Sequence, residues 1–272
     1  MKIIKIQGGL GNQLFQYAYG RSLELSGIKI VFDISFFAGR KASIDTSRDF
    51  KLDNFNLQTK ALFVNKKLSL LNLLKKCFGK LGFHKERFYQ SEKYFKNCAE
   101  NIRKEFTLAK PLSPASLEMS QRIMRTPQSI SLHIRRGDYV LDNNTNAYHG
   151  VCGAEYYTKA LDLLRSKVGP KFNQQDAAIF VFCEFSEDIA WAKTNIAFPC
   201  PVHFVSRPEI PDFEEICLMS LCKHNIVANS SFSWWGAWLN ANQGKIVIAP
   251  ARWFAKKQPA EADIVSSSWL RV

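Results

Sequence analysis

The opening segment, residues 2–6, is β-rich and runs into Gln7-Gly8-Gly9-Leu10-Gly11-Asn12-Gln13, after which Leu14, Phe15, Tyr17, Ala18, Leu23 and Leu25 recur at helical spacing up to Gly27. Residues 28–32 read as a second buried strand, so the chain begins as strand, glycine-rich turn, helix, strand. Residues 35–60 are polar and irregular. Leu62, Phe63, Leu68, Leu70, Leu71, Leu73, Leu74 and Phe78, interleaved with Lys66, Lys67, Lys75, Lys76 and Lys80, then predict a basic amphipathic helix over 62–80. Its plain reading is a surface helix packed on the core. Its sharper one is a helix lying on an anionic membrane face.

Pro111, Pro114 and Pro127 surround a short helical stretch and mark a domain boundary, which divides the chain into 1–126 and 127–272. Beyond it, strands are predicted at 129–134, 177–182, 202–205, 225–228 and 245–248. Helices are predicted between them at 155–167, 187–195, 211–222 and 231–240. This alternation implies a parallel sheet and an α/β fold.

Composition narrows the setting. No apolar run reaches the ~18 residues of a membrane span, and the N-terminus does not resemble a signal peptide. The seven cysteines are odd in number, without C-x-x-C or metal-ligand spacing, and read as reduced thiols of a cytoplasmic protein. The formal charge of +13 calls for an anionic partner: nucleic acid, acidic lipid or a phosphate-bearing small molecule. The basic residues are scattered and match no nucleic-acid motif, so a nucleic-acid partner is not expected.

Two constellations carry chemistry. His133-Ile134-Arg135-Arg136-Gly137-Asp138 directly follows an apolar strand, at the carboxyl edge where open α/β sheets bind ligands. Adjacent arginines on an extended segment point opposite ways. One is expected to reach the ligand, the other to be held by a carboxylate such as Asp138. A guanidinium fork matches a diphosphate. The second constellation, residues 225–238, is a strand, a serine turn (Asn229-Ser230-Ser231-Phe232-Ser233) and a helix, so that N–H groups and hydroxyls meet at a helix start. Serines there are also ordinary N-caps. Gly8, Gly9 and Gly11 fit neither a dinucleotide fingerprint nor a P-loop, but permit close backbone approach. With no D-x-D and no metal-spaced histidines in the sequence, no metal or other cofactor is expected.

These segments resemble the bacterial α-1,2-fucosyltransferases of glycosyltransferase family 11. The matching pieces are 8–18, 88–95, 133–139, His149-Gly150, Phe185-Ser186-Glu187-Asp188-Ile189 and 218–240, in order along nearly the whole chain. The resemblance implies a GT-B-type fold of two Rossmann-like domains facing across a cleft, the acceptor toward the N-terminal one. It implies an inverting, metal-independent enzyme that moves L-fucose from GDP-β-L-fucose to the 2-hydroxyl of a terminal galactose in a surface glycan such as lipopolysaccharide. By matched position, Arg135 would contact the β-phosphate, and Ser230, Ser231 and Phe232 would cradle the diphosphate. His133, Arg136, Gly9, Gly11 and His149 would line the substrate site, and Asn12 would face the same cleft. Glu187 or Asp188 would read guanine. The family's acidic motif usually has two aspartates here, so the choice between them stays open. So does the general base, for which Asp138, His149 and Glu155 are candidates and Asp138 has an alternative role beside Arg136. Two other readings are a transferase of a different GDP-linked sugar and a basic protein that binds anionic surfaces or nucleic acid. Localisation is expected to be cytoplasmic, with peripheral attachment to the inner membrane face through 62–80 as an addition.

Overall fold

A computed structural model describes residues 1–38, 49–65, 82–83, 88–137, 150–255 and 261–272. The chain divides into two compact units, Met1–Lys110 and Pro111–Val272.

In the first unit four parallel strands, β1 (Lys2–Lys5), β2 (Ile30–Asp33), β3 (Leu62–Val64) and β4 (Gly82–Phe83), lie in the order β3-β2-β1-β4. Helix α1 (Leu10–Leu25) follows β1. Its Tyr17 ring stacks on Phe32 of β2 at 5.3 Å. Helix α2 (Ala99–Glu105) contributes the buried Glu105, whose carboxylate accepts the Tyr17 hydroxyl and, at 2.7 Å, the Arg21 Nε. That burial keeps the Tyr17 hydroxyl protonated, its pKa pushed well up first by desolvation and then by Glu105.

The amphipathic helix expected from residue 62 does not begin there: Leu62–Val64 is a strand paired in parallel with β2. Three consecutive apolar residues suit a sheet, and Phe63 packs on Phe32 and Phe50 at 5.0 and 5.7 Å. Residues 66–81 lie outside the described residues.

The second unit holds a six-stranded parallel sheet: β5 (Gln128–Ile134), β6 (Ala177–Cys183), β7 (Val202–Phe204), β8 (His224–Ile226), β9 (Val247–Ala249) and β10 (Leu270–Arg271), ordered β10-β9-β8-β5-β6-β7. Helices α3 (Pro114–Arg125), α4 (Ala154–Val168), α5 (Ser186–Asn195), α6 (Asp212–Leu221) and α7 (Ser231–Leu239) accompany it. Alternation along β5 sorts its faces. Ile130, Leu132 and Ile134 join Tyr157, Leu161 and Leu164 of α4 in one core layer. Across the sheet, Phe180 and Phe182 of β6 pack with Leu218 and Met219 of α6 and with Met119 and Ile123 of α3.

That second layer moves the domain boundary. The expected division placed α3 in the N-terminal part, whereas it belongs to the second unit. Its apolar stripe enters that unit's core, and Ser113, its N-cap, donates from N and Oγ to the Glu214 carboxylate of α6 at 3.1 and 2.7 Å. The prolines mark where the second unit starts, one helix earlier.

Candidate active site

From β5 the chain builds β6 and β7 on one side, then returns to lay β8 on the other, so the strand order reverses between β5 and β8. Open α/β sheets bind ligands above such a reversal, because the connections diverge and leave a crevice at the carboxyl ends. The pairing Ile130↔His224, Ser131↔Asn225, Leu132↔Ile226 carries both expected constellations out of neighbouring strands. They touch: the His133 and Phe232 rings lie 5.7 Å apart.

His133 is 3% exposed, and its Nδ1 has no hydrogen-bond partner among the described residues. Burial, and secondly the charge of Arg135, push its pKa down to about 3, so the imidazole is neutral. The two arginines, just past the end of β5, have different partners. Arg135 forms an ion pair with Glu184, just past β6, at 2.6 Å. Arg136 lies 3.9 Å over the Trp191 ring of α5. The expected brace, Asp138, lies outside the described residues, as does His149.

Asp188 separates from Glu187. It is 3% exposed, and its carboxylate accepts the backbone N–H groups of Gly137 and Arg136. Burial raises its pKa, against the lowering effect of those N–H groups and of both arginines. Glu187 is exposed and accepts the Ser186 hydroxyl at 3.0 Å. Gly137 lies so close to Phe185 that a Cβ there would meet the ring at 1.9 Å.

Past β8, Ser230 caps α7, its Oγ accepting the Phe232 N–H at 3.3 Å. The first intrahelical bond runs from the Trp234 N–H to the Ser230 carbonyl, so the Ser231 and Ser233 N–H groups stand in the first turn, where a helix offers donors to an anion. Asn229 is buried and structural. Its Nδ2 donates to the Gly150 and Trp253 carbonyls, both at 3.2 Å. Two phenols of α4 hold the strand ends. Tyr156 donates to the Val227 carbonyl and also approaches that of Ile248 at 3.3 Å, while Tyr157 donates to the His133 carbonyl at 3.2 Å. Glu155, an early base candidate, is exposed and paired with Lys159 at 2.6 Å, a geometry that a surface helix accounts for by itself.

Sequence reasoning missed Glu184, Trp191 and the tyrosine pair. Glu184 carried a usable signal, since it directly follows a buried strand next to β5.

The first unit repeats the reversal, between β1 and β4. Here α1 starts at Leu10, so Gly11, Asn12 and Gln13 are helical and the glycine-rich turn expected over 7–13 is confined to Gly8 and Gly9. Gly8 takes φ +79°, a left-handed turn, and Gly9 is the N-cap. Asn12 accepts Gln90 Nε2 at 2.7 Å through its amide oxygen, and Gln13 donates to the Gly8 and Asp49 carbonyls at 3.0 and 2.8 Å.

Comparison with known proteins gives this architecture a chemistry. The O-antigen biosynthesis glycosyltransferase WbnK of Escherichia coli is 30% identical over 312 aligned positions, spanning 98% of this chain and 99% of its own. An alpha-1,2-colitosyltransferase of Escherichia coli is 32% identical over 306, spanning 99% and 98%. The galactoside alpha-(1,2)-fucosyltransferase 1 of Leontocebus fuscicollis is 28% identical over 155, covering 54% of this chain and 40% of that one. The sequence model of Glycosyl transferase family 11 matches residues 1–272, and the chain belongs to that family of glycosyltransferases.

Proposed function

We propose that this glycosyltransferase moves L-fucose from GDP-β-L-fucose to the 2-hydroxyl of a terminal galactose in a bacterial surface glycan, forming an α-1,2 linkage. The observation that carries the reading is the meeting of the arginine strand and the serine turn at the strand-order reversal, in a chain similar over its full length to α-1,2 and O-antigen transferases.

The acceptor hydroxyl attacks the anomeric carbon of the β-linked sugar while GDP departs from the opposite face, and the configuration inverts. The leaving diphosphate is a stable anion that needs charge stabilisation more than a proton. Arg135 and the N-terminus of α7, with Ser230, Ser231 and Phe232, supply it. His133 and Arg136 support that wall. Glu187 is assigned to the guanine edge because its side chain is exposed, whereas Asp188 is buried against the backbone of Arg136 and Gly137. Asp138 or His149 is the general base. The +13 charge suits a diphosphate donor and an anionic cell-surface precursor. Among the described residues no helix is long and apolar enough to cross a membrane. Basic residues of 66–80 would support peripheral attachment to an anionic face.

A second reading replaces fucose by colitose, the 3-deoxy analogue, and rests on the 32% identity to the colitosyltransferase. The 3-hydroxyl decides between them. A site that hydrogen-bonds it would reject the deoxy sugar by about 10⁴-fold, whereas an apolar site would accept both within about 100-fold.

The test is transfer from GDP-fucose, GDP-colitose and GDP-mannose to a β-galactoside, with and without chelator, and the linkage read by NMR. An α-1,2-fucoside formed at equal rate in chelator is expected. Exclusive use of another sugar, or dependence on a divalent ion, would overturn the corresponding part. Arg135→Ala should cost about 100- to 1,000-fold in transfer rate with the fold intact by circular dichroism.

A further inference from the structure

The corner between β6 and α5 grips the arginine turn at four points. Asp188 holds the N–H groups of Arg136 and Gly137, and Phe185 fills the space beside Gly137 where a Cβ would stand. Trp191 lies under the Arg136 guanidinium at 3.9 Å. These three fix the turn itself or the neighbouring arginine. The fourth, Glu184 at 2.6 Å, reaches the guanidinium of Arg135.

A guanidinium presents its donors in one rigid plane at the end of a side chain with several rotatable bonds. A carboxylate that engages one terminal nitrogen restrains that plane and so directs the remaining donors. The Glu184 side chain is 29% exposed against 13% for Arg135, so its charge is close to any diphosphate that Arg135 meets and repels it. An anion beside an anion-binding arginine weakens ground-state affinity. What it gives in exchange is orientation.

We propose that Glu184 is a positioning residue for sugar transfer: it holds one side of the Arg135 guanidinium so that the other donors face the diphosphate as its bond to the sugar breaks. The inference rests on the assignment of Arg135 to the diphosphate.

Four proteins test it: the parent chain, Glu184→Ala, Arg135→Lys and the double variant. Each is measured for kcat and KM with the nucleotide sugar that the donor panel identifies, and for GDP affinity by calorimetry. Glu184→Ala is expected to lower kcat by about 10- to 100-fold, while GDP affinity stays within about threefold or tightens because a repelling charge has gone. Glu184→Gln, which keeps an oxygen acceptor, should recover most of kcat. In the Arg135→Lys background the planar fork is absent, and the further loss from Glu184→Ala should shrink below about threefold. Should Glu184→Ala fail to fold by tryptophan fluorescence, Glu184→Asp withdraws the carboxylate by one methylene at constant charge and should show the same kcat loss. Unchanged kcat in a folded variant, an equal loss in both backgrounds, or a rise in KM at constant kcat would overturn the positioning role. If Arg135→Lys and Arg135→Ala both bind GDP and transfer normally, the fault lies instead in the diphosphate assignment.

Discussion

Acidification should destabilise the second unit before its carboxylates titrate, because two buried histidines there resist protonation. His133 is held at about 3 and His224 at about 4, against an ordinary 6.5, both chiefly by burial. Each folded-state value is depressed, so the folded chain stays neutral at these sites while the unfolded chain takes up protons below 6.5. Stability is therefore complete above that value and falls as pH drops through the window down to about 4 and 3. At one proton difference per histidine the slope is about 1.4 kcal/mol per pH unit, which makes about 2 kcal/mol for each at pH 5. His203 is shifted in the same direction. Asp188, raised by burial, acts with opposite sign as it gains a proton, so the comparison is best made between pH 7.5 and 5. All six tryptophans follow residue 190, and urea unfolding followed by their fluorescence reports on the second unit alone. His133→Phe keeps a ring against Phe232, removes a buried nitrogen that lacks a partner among the described residues, and should flatten the pH dependence by about 2 kcal/mol at pH 5. Equal stability at both pH values, or a His133→Phe variant with the parent's pH dependence, would refute the reasoning.

Two further outcomes follow from packing. Gly137→Ala drives a methyl into the Phe185 ring, so the arginine turn must shift, and transfer should fall by at least about tenfold while unfolding of the tryptophan-bearing unit changes little; parental kinetics would show that the turn yields freely. Glu105→Ala removes the acceptor of the Tyr17 hydroxyl and of the Arg21 Nε, while Arg21 keeps Glu24 at 2.8 Å, and should destabilise the first unit by about 1–3 kcal/mol, seen as faster amide exchange over residues 10–25, whereas unchanged exchange would deny that triad a structural role.

How far the sequence could be read depended on how many residues each feature spans. β5 and β6 are seven-residue runs with buried faces, and their type and extent follow from pattern alone. β4 and β10 have two residues each, too few to establish any period. Leu62 and Phe63 misled because two apolar residues followed by a leucine-rich, lysine-rich tract fit a helical stripe as well as the strand they form. The fate of α3 was hidden for another reason: an amphipathic helix declares that it has a buried face, but not which core receives it. That Arg135 and Arg136 would have different partners was legible from their adjacency at the end of a strand. Their partners were not. Glu184 looks like an ordinary solvated carboxylate after a strand, and the difference between an exposed Glu187 and a buried Asp188 exists only once Gly137 is packed beside them.

The tyrosine pair of α4 has a consequence for how donor preference evolves. Adjacent phenols on one helix tie the carbonyls of Val227, Ile248 and His133, so the ends of three strands are fastened to a common post. A rim built that way resists splaying or closing as the strands alone would allow. Under the proposed donor assignment, a change in sugar preference would fall to side chains standing on the rim, where single replacements act without refolding anything beneath.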